Sequence, residues 1–501
     1  MREELLDKAV LAMYDVRGIQ SYIFKSNAAK EIIGASELIA DVIRKGLGEY
    51  IRKNVKQEKQ TAYRMDWEQD DALAFLQDSN VQMQVLFVGG GNAYVLFRKG
   101  AICQKVNRFL AKYIMEATYS LNLATAVVEK TDCYADDYKK IQEEMRRIKA
   151  YMPMTQPVGA FPFMKADSIT GYPITQNRDG KQLCTEAGLK RAAVKEGESE
   201  KVFDHMIIEK GDNSTLAICH IDGNSMGQFI MKQMQGVLKY EEAVPKMRAI
   251  SGKIASDFRD TFDAMCYYME TLSPQVKKDN KYKLYREMIV AGDDITFVCN
   301  AKLALPAVDY FLTHIGDRNG YSACAGIAYF NSHFPFSDAY QVAEACCESA
   351  KKRGKQNENR GESDQIGNFF DFQICTNIRA VHLADYRQKH YRADMGSLLA
   401  RPYYVPLQQG NSILNEKNKA YDVRLFENWL AKVNKMPRSK AKALRDAISK
   451  GRNEMEETVA FLQSRQIEGL EEFDGQYAIC YDALEVMDLY LGEDKLYEDK
   501  N

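Results

Sequence analysis

The apolar residues of the chain form short runs and helical stripes that occur twice in the same order. The first set begins with an apolar run at 10–13 that leads to Asp15, and the second with a run at 216–219 that leads to Asp222. A glycine and a stretch with helical spacing follow each aspartate, which is the pattern of a strand, a turn and a helix. This long-range self-similarity indicates two related domains rather than a solenoid of short repeats.

Each set continues with a predicted hairpin. The two segments are VLFVGGGNAYVLF at 85–97 and MIVAGDDITFVC at 288–299, each with two apolar runs around a turn that contains glycine. A helix, a strand and a second helix follow each hairpin. The shared order predicts an α+β fold in which each domain has a mostly antiparallel sheet with helices on one face.

The remaining patterns set the predicted boundaries. The first domain is expected at 1–150, with a polar insertion at about 53–82, and the second at 213–375. The segment between them, 151–212, has prolines and glycines without periodicity, which predicts an irregular connector. Apolar positions recur at three- and four-residue spacing in 376–501, which predicts a C-terminal helical bundle.

Composition narrows the class of protein. The chain has 501 residues, a formal net charge of −2, 46% hydrophobic and 28% charged residues, which together predict a globular protein of several domains without a bulk charge for nucleic acid. The charges scattered through residues 1–16 are not typical of a signal peptide, and no apolar run is long enough for a membrane span, so no membrane partner is expected. The eleven cysteines are scattered, which predicts reduced, mostly buried thiols in a cytoplasmic protein.

Three carboxylates are the candidate chemistry of the second set. Asp222 ends a strand, and Asp293 and Asp294 lie in the hairpin that is expected beside it, roughly one strand spacing of ~4.8 Å away. Such carboxylates repel one another, and Mg²⁺ or Mn²⁺ would relieve the repulsion. Two such ions would also activate a hydroxyl and stabilise leaving pyrophosphate. Lys351 and Lys355, four residues apart, would share a helix face and hold phosphates.

Each of these features also has an ordinary structural interpretation. An Asp-Asp pair often serves only a turn, Asp222 would suit a strand end or a helix cap, and AKKRGK would suit a solvated helix end. The six histidines form no motif. The conjunction of the three features in one domain favours metal-dependent nucleotide chemistry.

Five motifs, in order, carry a family resemblance: DVRGIQSYIF, KEIIGASELIADVI, DGNSMG, AGDD and RPYY. They resemble the palm domain of nucleotidyl cyclases, GGDEF-type diguanylate cyclases and family B polymerases. The duplication resembles one family in particular, the large subunit of type III CRISPR effectors, which makes cyclic oligoadenylates. The resemblance implies two ferredoxin-like (RRM-like) palm domains and conversion of ATP to a cyclic oligoadenylate messenger, with release of pyrophosphate, in antiviral defence.

The resemblance also assigns residues. It implies that Asp222, Asp293 and Asp294 hold two Mg²⁺ or Mn²⁺ ions. Nucleotide contacts are implied in the second copy for Gly223, Asn224, Ser225, Gly292, Lys351 and Lys355, and in the first copy for Gly34, Ser36, Gly90 and Gly91. Because Gly90, Gly91 and Asn92 replace the carboxylate hairpin, the first copy is expected to be non-catalytic.

Three departures from the family change the expectations. No HD nuclease motif precedes the first palm, so a shortened form without DNA cleavage is expected. The connector holds only Cys184 where many members have a four-cysteine site, so no zinc is expected. Ala291 replaces a usual hairpin glycine, and its methyl group would crowd a nucleotide or a strained turn.

Two other functions fit the same motifs. The chain could be a non-catalytic, allosteric scaffold subunit that binds small effector subunits and guide or target RNA. It could also be a GGDEF-like cyclase that uses GTP. The sequence does not predict ring size, linkage, base preference, activating signal or oligomeric state.

Overall fold

The computed structural model describes most of the chain, and the described residues fall into two compact units. The first comprises Met1–Glu200, Ser225–Ser256 and Ile289–Gly292, and the second Lys201–Asn224, Asp257–Met288 and Asp293–Asn501. The described ranges are 3–89, 91–152, 157–178, 180–195, 202–208, 214–277, 281–316, 318, 320–361, 365–376, 383–407, 412–467, 470, 473 and 475–491.

The elements alternate between strands and helices along the chain. Up to the connector they are β1 (Val10–Arg17), α1 (Ile19–Ile23), α2 (Ala29–Ile39), α3 (Val42–Asn54), β2 (Tyr63–Arg64), α4 (Ala74–Gln77), β3 (Met83–Gly89), β4 (Asn92–Phe97), α5 (Gly100–Thr118), β5 (Asn122–Glu129), α6 (Tyr134–Tyr151), β6 (Ile174–Arg178), β7 (Lys181–Cys184) and α7 (Thr185–Ala193).

The second half continues with α8 (Val202–His205), β8 (Thr215–Gly223), α9 (Met226–Gln233), α10 (Tyr240–Val276), β9 (Tyr285–Ala291), β10 (Asp294–Asn300), α11 (Ala301–Gly316), β11 (Ala323–Asn331), α12 (Phe336–Gly354), β12 (Asn368–Cys375), α13 (Leu383–His390), β13 (Arg392–Ala393), β14 (Gly396–Ser397), β15 (Tyr403–Val405), α14 (Ser412–Lys417), α15 (Val423–Lys435), α16 (Arg438–Lys450), α17 (Arg452–Ser464) and α18 (Tyr477–Val486).

The internal repeat is visible in the two large sheets. The first has the strand order β2-β3-β4-β1-β5 and the second β15-β12-β11-β8-β10-β9. Each copy contributes four corresponding strands: the first strand, the two strands of the hairpin and the strand that follows. These four have the same spatial order in both sheets, β3-β4-β1-β5 in the first and β9-β10-β8-β11 in the second. Both central strands, β1 and β8, are buried along nearly their whole length, which explains their continuous apolar runs.

The α+β prediction is confirmed, while the sheets are mixed rather than purely antiparallel. β2 pairs parallel to β3, and β11 pairs parallel to β12. β12 and β15 extend the second sheet beyond the predicted repeat. Neither strand has a counterpart in the first copy's pattern, so the comparison of the copies gave no signal for them.

The predicted irregular connector contains ordered elements. β6 and β7 form an antiparallel hairpin, and α7 follows it directly. Leu183, Cys184 and Ala187 form a small buried cluster with Tyr172, which is enough apolar surface to order this short segment.

The segment Ser225–Ser256 follows a second-copy strand but belongs to the first unit. The Tyr240 hydroxyl donates a hydrogen bond of 2.8 Å to Asp137, and both residues are buried. The Arg248 guanidinium donates to the carbonyl oxygen of Leu86 at 2.8 Å. The compact units therefore do not divide at residue 213, where a domain boundary was predicted.

The C-terminal helices belong to the second unit. α15 packs on α18, and α16 packs on α17 and α18. Trp429, Leu430 and Leu444 are buried among them. The amphipathic spacing of the sequence thus corresponds to real helices with buried stripes.

The cysteines and the helices can be compared with what the composition predicts. All eleven cysteines are free, and nine of them are buried. In the part of the chain that the structure describes, no helix combines the length and apolarity that a bilayer crossing requires.

Candidate active site

Asp222 and Asp294 lie opposite each other on neighbouring antiparallel strands. They are register partners in the β8–β10 pair, and Cys324 of β11 is the partner of Asp222 on the other side. The backbone amide of Gly223 donates to the carbonyl oxygen of Asp293 at 3.2 Å, which ties the strand end to the hairpin turn. The sheet therefore brings the three predicted carboxylates to one edge.

The hairpin turn is formed by Gly292 and Asp293. Gly292 has φ of +67°, whereas Asp293 is not among the residues with positive φ. A glycine with positive φ at the first turn position is the pattern of a type II′ hairpin turn. The turn therefore requires Gly292 for its backbone, but it does not require an acid at Asp293.

Lys351 is the cationic partner of Asp222. It lies in the last turn of α12, and its ammonium group donates a hydrogen bond to the Asp222 carboxylate. Burial alone would lower the pKa of Lys351, but the hydrogen bond and charge of Asp222 outweigh burial and raise it. Lys351 is therefore a charged group held at the carboxylate cluster.

Lys355 lies just past the end of this helix. α12 ends at Gly354, and the exposed Lys355 is its C-terminal cap, with the backbone amide bonded to the carbonyl oxygen of Lys351 at 3.0 Å. The structure thus places Lys351 at the carboxylates, whereas the side chain of Lys355 is exposed and makes no contact with them that the structure shows.

Asp293 carries the strongest sign of crowded negative charge. Burial and the nearby charge of Asp222 raise the pKa of Asp293 to about 6. Glu344 on α12 is affected in the same way: burial, followed by the charges of Glu348 and Asp222, raises its pKa. Burial and the neighbouring carboxylates together therefore disfavour the ionised forms of Asp293 and Glu344.

His220 and Thr296 support Asp294 from within the sheet. They lie two residues before Asp222 and two after Asp294, and are themselves register partners. The His220 Nδ1 atom is 3.1 Å from the Thr296 hydroxyl and 3.6 Å from an Asp294 carboxylate oxygen. Burial lowers the pKa of His220 to about 4, so the ring is neutral at pH 7. Side chains two residues apart on a strand lie on the same face of the sheet. This spacing from Asp222 and Asp294 would have identified His220 and Thr296 in the sequence.

The donor set fits a divalent cation, although the described residues contain no preformed cluster of three or more metal-binding side chains. Asp222 and Asp294 share a register position, and burial followed by the charge of Asp222 raises the pKa of Asp293 to about 6. Carboxylate oxygens are the ligands that Mg²⁺ prefers. Among the three aspartates, Lys351 forms its ion pair with Asp222. A cation at this edge would supply positive charge to Asp293 and Asp294 as well.

Gly223, Asn224 and Ser225 form the loop that leaves the strand. Asn224 is buried, and its side-chain amide donates to the Gly367 carbonyl oxygen at 3.1 Å and to the Ser322 hydroxyl at 3.2 Å. Ser225 has φ of +55°, an uncommon conformation for a residue other than glycine, and it precedes α9. Asn224 therefore fixes the loop to the protein, and strain at Ser225 accompanies the turn into the helix.

No protein-family model and no curated protein matches the sequence. Solved structures do resemble the fold. One is Csm1 in a Csm1-Csm4 cassette in complex with cA4, with 12% identity and a TM-score of 0.48 over 96% of this chain and 70% of that chain. Another is the Csm1-Csm4 subcomplex of the type III-A CRISPR-Csm interference complex, with 12% identity and a TM-score of 0.47 over 96% and 70%.

Csm1 from T. onnurineus matches with 13% identity and a TM-score of 0.49, over 96% of this chain and 69% of that chain. The chain is similar to Csm1.

The first sheet repeats part of the site. Asp15 of β1 is the register partner of Asn92, so an amide lies where the second copy has Asp294. Lys149 is the sixteenth residue of α6, as Lys351 is of α12 (134 to 149 and 336 to 351), and it forms an ion pair with Asp15. The lysine–aspartate pair is thus duplicated, whereas the second carboxylate is not. Comparison of the two helices would have revealed Lys149.

The other first-copy residues are not brought to one place by any observed contact. Gly34 lies inside α2, and a Cβ there would come within 1.7 Å of the Lys190 carbonyl oxygen on α7, so helix packing accounts for this glycine without a nucleotide. Ser36 is half-buried on the same helix. Gly91 has φ of +87° and accepts a hydrogen bond from the Val16 amide, which explains it as a turn residue. Gly90 lies outside the described residues.

Proposed function

We propose that the second sheet carries a metal-dependent nucleotidyltransferase site that converts ATP to cyclic oligoadenylate with release of pyrophosphate. The observation that carries the proposal is the Asp222–Asp294 register pair with Asp293 beside it and Lys351 bound to it. The first sheet has the same strand order and its own lysine–aspartate pair, but it has Asn92 in place of the second acid. The backbone conformation of the hairpin turn depends on Gly292 and does not by itself require acids at Asp293 and Asp294.

We infer further that the two sheets are ferredoxin-like palm domains of the type III CRISPR large-subunit family. Support comes from the ordered motifs of the sequence and from the order β3-β4-β1-β5, which β9-β10-β8-β11 repeats. On this assignment the first palm is non-catalytic, because its hairpin supplies no acid pair.

The reaction follows from the charge distribution. Asp222, Asp293 and Asp294 would hold two Mg²⁺ or Mn²⁺ ions, which would supply Lewis acidity to a ribose 3′-hydroxyl and to leaving pyrophosphate. The 3′-oxygen bonds to the α-phosphorus of a second ATP, the bond from that phosphorus to pyrophosphate breaks, and the hydroxyl proton passes to water. Ring closure repeats this exchange within the product.

The chain's own residues would position the reactants. Lys351 would exchange its bond to Asp222 for triphosphate oxygens, for which an ammonium group is a suitable point charge. Lys355, exposed one turn further on, would reach the outer phosphates. His220, neutral and bonded to Thr296, would keep the Asp294 carboxylate in place.

A product assay tests the proposal. Purified chain is incubated with ATP and Mg²⁺ or Mn²⁺, with and without a target RNA complex, and products are separated by chromatography. The double variant Asp293→Asn/Asp294→Asn should lose product formation. The double variant Glu456→Gln/Glu457→Gln, which changes an adjacent exposed acid pair on α17, should retain it. Wild type that yields no product under every condition, like the Asp variant, contradicts the proposal. Parallel reactions with GTP test base choice.

A scaffold function is the second candidate, and two observations favour it. Lys351 already neutralises Asp222, and the described residues contain no preformed metal cluster. A non-catalytic large subunit would co-purify with small effector subunits and guide RNA whether or not Asp293 and Asp294 are intact. An isolated chain that makes product would exclude a purely structural role.

A further inference from the structure

A cavity of about 560 Å³ lies in the second unit, beside the C-terminal end of α12. Its walls come from the end of α12, from α13, from the segments around β13 and β14, and from the residues before β15. Five cationic residues line it: Lys352, Arg353, Arg387, Arg392 and Arg401. Among the described residues, no acidic side chain belongs to the lining.

Two of the five cations already have buried partners. Arg387 forms a bidentate pair with Asp371, at 2.7 and 3.0 Å. Arg401 is fully buried and donates to Asp482 at 2.8 Å and to Glu485 at 2.9 Å. These two guanidinium groups form a rigid, neutralised wall, because each is held in a fixed geometry by carboxylates behind it.

The other three cations provide the charge that a ligand would meet. Lys352 and Arg392 are exposed, and neither has an ion pair or a side-chain hydrogen bond to any described residue. The Arg353 guanidinium stacks 4.1 Å from the centre of the Tyr421 ring, and among the described residues it donates only to the carbonyl oxygen of Arg401, at 3.5 Å. The cavity therefore presents three cationic side chains, Lys352, Arg353 and Arg392, for which the structure shows no ion pair with a described carboxylate.

The rest of the lining is suited to a small organic phosphate. Ser349, Gln356, Gln388 and Ser397 offer neutral hydrogen-bonding groups, and Tyr391, Leu399 and Pro402 offer apolar surface. Cavities of about 300–1,000 Å³ are large enough for a small organic ligand such as a mononucleotide. Arginine and lysine together recognise phosphate, one through its planar fork and the other as a point charge.

We propose that this cavity binds a phosphate-bearing small molecule of about mononucleotide size, with its phosphate groups at Lys352, Arg353 and Arg392. The site is separate from the candidate active site and does not depend on the chemistry proposed there. It adjoins that site through the chain, since Lys351 and Lys352 are consecutive residues of α12 that contribute to the carboxylate cluster and to the cavity, respectively.

Calorimetric titration of the full chain tests the proposal. The probes are inorganic tripolyphosphate and AMP, added without divalent ions to a Lys351→Gln background, so that the lysine of the carboxylate cluster does not contribute. The variant Lys352→Glu/Arg392→Glu should weaken binding by about tenfold or more, because two charged contacts are lost. The control Lys389→Glu/Lys442→Glu makes the same change of net charge at exposed positions outside the cavity and should alter affinity by less than about twofold.

The probes also distinguish the sources of phosphate. Tighter binding of AMP than of tripolyphosphate identifies a nucleotide site, and the reverse identifies an oligophosphate site. Equal affinities of the cavity variant and the control, or no binding of either probe, overturn the proposal. Binding of single-stranded RNA that depends on Lys352 and Arg392, without binding of either small probe, also overturns it and assigns the surface to an RNA backbone. Circular dichroism spectra confirm that both double variants are folded.

Discussion

Lys351 donates a hydrogen bond to Asp222, so that a helix end and a strand end meet at the acidic edge of the second sheet. The side chain of Lys351 is 12% exposed and that of Asp222 is 33% exposed. The pair is therefore shielded enough to matter for stability and open enough for a ligand to compete for it.

Replacing Lys351 by Met should make folding sensitive to divalent ions. Without the ammonium group, Asp222 keeps a partly buried charge beside Asp293, and we expect the free energy of unfolding to fall by about 1–3 kcal/mol. Mg²⁺ should restore much of this loss. Urea unfolding with and without Mg²⁺ measures both effects. The corresponding change in the first sheet, Lys149→Met, serves as the control and should gain little from Mg²⁺. Equal Mg²⁺ responses of the two variants would contradict the assignment of the metal to the second sheet.

Gly292→Ala should strain the hairpin turn without a steric clash. A Cβ there meets no atom within 4 Å, but φ is +67°, so we expect a loss of about 1–2 kcal/mol from backbone conformation alone. Gly227→Ala is the matched control, since Gly227 lies in helix α9 without positive φ and also has open space around it. It should be neutral or stabilising. Thermal unfolding of both variants gives the comparison, and a neutral Gly292→Ala would show that the turn is not the reason for this glycine.

Gly34→Ala should destabilise the first unit by overpacking. The new methyl group would lie 1.7 Å from the Lys190 carbonyl oxygen, and separating α2 from α7 should cost about 1–3 kcal/mol. Gly48→Ala on α3 meets no atom within 4 Å and should stabilise its helix by about 0.5–1 kcal/mol. If Gly34→Ala instead leaves stability unchanged and weakens ATP binding, the nucleotide contact implied by the family resemblance is correct and the packing explanation is wrong.

Asp371 should make the second unit sensitive to acid. Burial alone would raise its pKa, but the charges of Arg387 and Arg401 outweigh burial and lower it. A lowered folded-state pKa means that the stabilisation is present above the unfolded value of about 4 and is lost as pH falls through the folded value. The free energy of unfolding should therefore decline steeply below about pH 4.

Arg387→Lys provides the comparison for this acid sensitivity. Lysine keeps the charge but loses the bidentate geometry, so the folded-state pKa of Asp371 should be lowered less than in wild type. The loss of stability in acid should therefore be smaller than in wild type and be complete at a higher pH. Denaturant unfolding across the acidic range measures the shift. Identical profiles for the two proteins would show that the Arg387–Asp371 geometry does not set the pKa of Asp371.

The sequence was sufficient to predict the repeat and the acidic edge. Runs such as 10–13 and 216–219 are continuous because β1 and β8 are buried on both faces, and the matching hairpins follow from local turn chemistry. The convergence of Asp222 with Asp293 and Asp294 followed from a strand placed beside a hairpin. These features depend on short-range patterns that survive in a single sequence.

Other features depend on long-range contacts that a single sequence does not show. Lys149 was missed because it lies on helix α6, 134 residues after its partner Asp15 on strand β1. The packing of Gly34 against Lys190 was not predicted, because Lys190 belongs to a segment that was predicted to be irregular. The assignment of Ser225–Ser256 to the first unit depends on contacts such as Tyr240–Asp137, which no periodicity reveals.

The central claim is that the second sheet, and not the first, holds divalent ions together with ATP. Titration of Mn²⁺ in the presence of ATP, followed by electron paramagnetic resonance, measures this directly. Wild type and the first-sheet variant Asp15→Asn should bind Mn²⁺ with equal affinity, whereas Asp222→Asn should bind it much more weakly. Equal binding by wild type and Asp222→Asn, or loss of binding only in Asp15→Asn, would contradict the account.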